Sequence, residues 1–119
     1  MNQKNHAMAT IKPNHVIVTV EAGDTPVCNP HDLNVAGSDE VLKFSLQTPG
    51  YVFPKDGAVV VANPGDEFPF PSRTLPPNDT QATLYDRNTG TGAFGYTVFV
   101  KKVATGEILR VDPTINNEG

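Results

Sequence analysis

The residues of this chain that could do chemistry are few and scattered. Its single cysteine, Cys28, and His31 stand at a Cys-x2-His spacing that invites a metal. A structural zinc site takes four ligands, and the other histidines, His6 and His15, form no second paired spacing. The expectation is a small thiol, buried or at a sheet edge, beside a loop histidine, with no bound metal or other cofactor. The aspartates Asp24, Asp32, Asp39, Asp56, Asp66 and Asp79 fall mostly in turns, where such side chains bond the local backbone. Calcium needs six to eight converging oxygens, and no EF-hand-like spacing occurs. Ser38, Ser45 and Ser72 lie in no strand-turn-helix elbow of the kind that exposes a nucleophile. No set of residues demands a particular reaction, so the chain is not expected to be an enzyme.

The aromatic residues say more. Tyr51, Phe53, Phe68 and Phe70 flank prolines in two segments close in sequence, and the chain has no Trp. Alternating Phe-Pro-Phe-Pro holds apolar rings on a stiff backbone, which is what interfaces use as anchors; the competing reading is that the rings plug one end of a core. Tyr85, Asp86 and Arg87 form a second candidate cluster at a strand end, with an Asp86–Arg87 ion pair holding a loop as its simplest role. These seven residues are the candidate binding set. With no Trp and only three Tyr in the whole chain, a sugar-binding platform is a poor fit. Asn78-Asp79-Thr80 is a glycosylation sequon, meaningful only on a eukaryotic secretory route.

The elements that must position these residues are strands. From Glu40 to Thr48, Leu42, Phe44 and Leu46 share one face while Lys43, Ser45 and Gln47 share the other. From Phe94 to Val100, Phe94, Tyr96, Val98 and Val100 line one side. Period-two alternation suits a half-buried strand, because successive side chains point to opposite faces. Asn14 to Ala22 reads as a first strand with β-branched residues on both faces. Val27 to Val35, broken by Asn29-Pro30, reads as two short edge pieces, and Val59-Val60-Val61 as a strand covered on both faces. Five of the eleven prolines lie between Pro64 and Pro77, which predicts a rigid, extended crossing. Ala82 to Arg87 is a short strand and Asn88 to Gly92 a loop. A hairpin follows, from Phe94 to Val103 and Glu107 to Val111, with a loose polar tail from Asp112 onward. The predicted fold is all-β: a two-sheet sandwich of about seven to eight mainly antiparallel strands, with Val18, Val20, Leu42, Phe44, Leu46, Tyr96 and Val98 in its core.

Bulk properties bound the partners. A chain of 119 residues is one domain, able to bury about 65% of its extended surface without a disulfide. A net charge of −4 with scattered Lys and Arg argues against nucleic acid. No apolar run approaches the ~20 residues of a membrane span, and the start lacks the apolar core of a signal peptide. The cytoplasm is the default compartment, which one free thiol suits. Residues 1–9 read as a polar leader or arm, with Met8 a candidate natural start, and residues 10–119 as the sandwich.

The strand rhythm is also similar to that of cupredoxins, whose copper ligands lie between the last strands. Here that stretch, Asp86 to Gly92, holds no Cys, His or Met, which excludes such a site. The run Gly92 to Val100, the hairpin after it, and Asp112-Pro113-Thr114-Ile115-Asn116-Asn117 resemble the ending of the DP-EP family of small bacterial β-sandwich proteins. The resemblance covers the last third of the chain. It implies an immunoglobulin-like or cupredoxin-like sandwich and brings no catalytic residue with it.

These readings converge on a non-catalytic interaction module that contacts a protein partner or associates into a homo-oligomer. The alternative is a structural subunit that assembles by donating its arm or tail as a strand to a neighbour's sheet.

Overall fold

The structure is a computed structural model and describes residues 13–119. The proposed leader, with His6 and Ile11, therefore lies outside the described residues. Among the described residues eleven strands and no helix make up the fold: β1 (His15–Glu21), β2 (Thr25–Asn29), β3 (Asp32–Val35), β4 (Glu40–Leu46), β5 (Tyr51–Val52), β6 (Val59–Val61), β7 (Arg73–Leu75), β8 (Gln81–Asp86), β9 (Thr91–Lys102), β10 (Ile108–Val111) and β11 (Thr114–Glu118). Eleven exceeds the expected seven to eight because several strands run for only two to four residues, too short to show a period.

One sheet has the order β2-β1-β4-β8-β7. The other is organised around β9. Strands β10 and β11 hold one continuous register against it, with Val111 opposite Val98 and Thr114 opposite Gly95. Together they form a single return strand interrupted at Asp112-Pro113. Even there Tyr96 N–H donates to Pro113 O at 3.0 Å. Strands β5 and β6 pair with the second half of β9, and β3 pairs with β11. Most pairings are antiparallel; β1·β4 and β3·β11 are parallel. The segment from Thr25 to Val35 belongs to both sheets. It pairs with β1 as β2, turns at Asn29-Pro30, and pairs with β11 as β3. Strands that switch sheets at a bend are how sandwiches make corners.

Between the sheets lie Val16, Val18, Leu42, Phe44, Leu46, Tyr96, Val98, Val100 and Ile115, all buried. Phe44 and Tyr96 meet edge to face at 5.9 Å between centroids, joining the middle strands of the two sheets. Val20, expected in the core, is half-buried and packs against its margin. Val60 points to solvent between the buried Val59 and Val61, so β6 is covered on one face rather than two.

Three further expectations change. The first of the two edge pieces begins at Thr25-Pro26 and not at Val27: β2 is the outermost strand of its sheet, where a missing donor is tolerated. The Pro-rich crossing carries a three-residue edge strand, β7. The tail is not loose. As β11 it sits between β9 and β3 with Ile115 fully buried.

Ile115→Ala should lower stability by about 3 kcal/mol, typical of a large buried aliphatic truncation; a tail that behaved as loose would show no change in chemical denaturation. The buried Tyr96 hydroxyl has no hydrogen-bond partner among the described residues. Tyr96→Phe should therefore keep the edge-to-face contact and raise stability by about 1 kcal/mol in the same assay.

Candidate functional site

The seven candidate residues do not form one site. Phe53 and Phe68 are buried, and Phe68 meets Phe94 edge to face at 5.1 Å. Half of the aromatic set therefore plugs the core. Tyr51 lies in β5, half-buried, its hydroxyl donating to Asp24 Oδ1 at 2.5 Å. Lys102 Nζ reaches Asp24 Oδ2 at 2.9 Å. This trio clips the β1–β2 turn of one sheet to β5 and β9 of the other. The Tyr51 hydroxyl and then the Lys102 ammonium hold the Asp24 carboxyl below its usual range, while the same carboxylate raises Tyr51.

Phe70 is different. It is 61% exposed and lies over Tyr85, ring centroids 5.8 Å apart. The Tyr85 hydroxyl donates to Asp39 Oδ1. Beside Phe70 opens an apolar groove of about 250 Å³ on the flank of the sandwich. One wall is β6, the other the Phe68–Ser72 run of the crossing, and Leu84 lies at the floor. Val60, 46% exposed, stands on its rim. Three prolines, Pro64, Pro69 and Pro71, fix the far wall. Ser72 Oγ accepts from Val59 N–H at 3.1 Å and ties the two walls together at one end.

Asp86 and Arg87 are not an ion pair. Along β8 the side chains alternate, so Tyr85 and Asp86 take opposite faces. Arg87 is exposed and Asp86 fully buried. Asp86 Oδ1 accepts from Asn88 N–H at 3.0 Å and from Asn117 Nδ2 at 2.9 Å. Asn88 Nδ2 donates to Val35 O and Gly37 O, and its Oδ1 accepts from Gly119 N–H. This buried network joins β8, β11 and the end of β3. The sequence signalled polar residues here but not their burial, which depends on the Asp86–Asn117 meeting across 31 residues. Asp86 Oδ2 and Asn117 Oδ1 have no partner among the described residues. Burial pushes the Asp86 carboxyl above its usual range, against the pull of its two donors.

Cys28 is buried, and desolvation pushes its thiol up to about 12, far from a nucleophilic thiolate. His31 is on the surface beside Asp32. No cluster of three or more His, Cys, Asp or Glu able to hold a metal occurs among the described residues. A contact that sequence spacing did not suggest joins His15 Nε2 and Ser45 Oγ at 2.8 Å, brought together by the parallel β1·β4 pairing. Ser45 gives its one hydroxyl proton to Gln81 Oε1 at 2.7 Å, so His15 is the donor to Ser45. A general base needs the opposite polarity. Among the described residues no helix is long and apolar enough to cross a membrane.

No model of a known protein family matches this chain, and no curated protein matches it either.

The Asp86 network has a pH signature. A carboxyl raised in the folded state ionises at a cost to folding. The contribution of Asp86 to stability is therefore greatest below the ordinary carboxyl value of 3.8 and falls as pH rises from there through the folded value. Asp86→Asn removes that ionisation, and its Nδ2 can donate to the orphaned Asn117 Oδ1. In urea titrations the variant should gain on the parent between acid and neutral pH, reaching about 1 kcal/mol. A pH-independent difference would contradict the assignment.

Proposed function

We propose that the domain is a non-catalytic, immunoglobulin-like interaction module of the kind its C-terminal third resembles, the DP-EP sandwiches. It makes contact through the β6 flank with a protein partner or a second copy. One observation carries the reading: Val60 and Phe70, two of the few large apolar residues on the surface, border an apolar groove walled by stiff backbone. Rigid aromatic and aliphatic anchors beside a pocket are what interface centres are made of. The immunoglobulin-like part rests on strand order. Strands β4-β8-β7 facing β6-β9-β10/β11 follow the B-E-D and C-F-G arrangement, with β1 added next to β4. Phe44 against Tyr96 takes the central inter-sheet place that a disulfide holds in antibody domains.

Sedimentation velocity over a concentration series distinguishes the two partners. Self-association should raise the sedimentation coefficient with concentration and vanish in a Val60→Asp, Phe70→Asp double variant, whose fold both exposed positions should spare. For another protein as partner, the domain should stay monomeric, and peptides selected from a displayed random library should bind the parent and not the double variant. A monomer whose selected peptides ignore both substitutions would remove this flank as the contact surface.

A further inference from the structure

The groove has a chemical polarity that points to what fills it, given that the β6 flank is the contact surface proposed above. Its β6 wall is a sheet edge. Phe99 N–H donates to Ala58 O at 2.8 Å and Ala62 N–H to Gly95 O at 3.0 Å, so residues 58, 60 and 62 turn their backbone groups toward β9. In an antiparallel ladder the alternate residues then face the other way. Those are Val59 and Val61. Ser72 Oγ satisfies the Val59 N–H. That leaves Val59 C=O and both backbone groups of Val61 directed at the groove, in the alternating pattern that an added strand completes. A helical ligand, with its own backbone bonds closed, has no use for such an edge.

Charge supplies the second half of the argument. Between Asp56 and Ser72 the chain carries Asp56, Asp66 and Glu67 and no Lys or Arg. Asp56 and Asp66 are exposed and flank the two ends of β6, one before Gly57 and one after Gly65. The neighbouring base Lys55 is engaged by Asp79 at 3.0 Å, and Arg73 begins β7 in the other sheet. The groove lining is apolar but for Ser72, and the chain segments that lead into and out of β6 are acidic.

We propose that the occupant is an extended segment of another protein, alternately apolar and bearing Lys or Arg at its two ends, added to β6 as a strand of the second sheet. Its main chain bonds to Val59 and Val61, its apolar side chains lie against Val60 and Phe70, and its basic ends meet Asp56 and Asp66.

Peptides from the library selection that lose binding to the Val60→Asp, Phe70→Asp variant are the test material, so the location of the surface is settled before its chemistry is read. They should be enriched in Lys and Arg flanking alternating Val, Ile or Thr. A synthetic Lys-Val-Ser-Val-Thr-Val-Arg peptide, followed by fluorescence anisotropy, should bind at least tenfold more tightly than its counterpart with Glu at both ends. It should weaken about fivefold with Asp56→Asn, Asp66→Asn protein. N-methylation of alternate peptide amides, which leaves the side chains in place, should cost at least tenfold in one of the two registers. Equal binding of basic and acidic peptides, indifference to N-methylation in both registers, or selected peptides that are helical or acidic would overturn the proposal while leaving the β6 flank as the contact surface. Failure of the selection to return flank-dependent binders would overturn both.

Discussion

Backbone pairing along β9 is the constraint on which the second sheet depends. Its twelve residues are flanked on one side by β10 and β11 and on the other by β5 and β6. None of those four could persist alone, since strands of two to five residues gain too little from their own contacts. They are ordered because β9 offers a fixed row of donors and acceptors, and because Tyr96, Val98 and Val100 anchor that row in the core. The groove follows from the same arrangement. Strand β6 takes only three places on β9 and has no strand on its far side among the described residues, so the flank stays open where β6 runs out.

The Pro-rich crossing sets how open. It leaves β6, turns at Pro64-Gly65, buries Phe68 against Phe94, and returns as β7 to the other sheet. Burying Phe68 closes the core; leaving Phe70 outside marks the rim. Two phenylalanines two residues apart thus have opposite fates: in a regular strand they would share a face, but the chain bends at both positions and turns them apart. Tyr85 then supports Phe70 from the outer face of its sheet, and the Asp39 carboxylate fixes the Tyr85 hydroxyl.

The fold was largely legible in the sequence where residues alternated long enough to declare a period. Leu42, Phe44 and Leu46 were placed correctly because β4 is long and covered on one face. Val60 was not, since three consecutive valines carry no period and solvent reaches the middle one. The tail misled by its polarity. Asn116 and Asn117 look like loop residues, yet Asn117 is buried because Asp86 accepts its amide hydrogen, a meeting no local pattern announces. The same blindness hid the fate of the candidate cluster. Tyr85, Asp86 and Arg87 are neighbours in sequence, but strand geometry sends Asp86 inward and its neighbours outward, so adjacency did not become a site.

The segment from Thr25 to Val35, hydrogen-bonded to β1 in one sheet and to β11 in the other, makes the two layers inseparable. Neither can peel away without breaking the ladder that anchors its partner. With the Asp24–Lys102 clip at one turn and the Asp86–Asn117 contact inside, this leaves the sandwich few ways to open by halves. Core amide protons of both sheets should consequently exchange with solvent through one shared unfolding event, giving similar protection to strands that lie on opposite sides of the molecule.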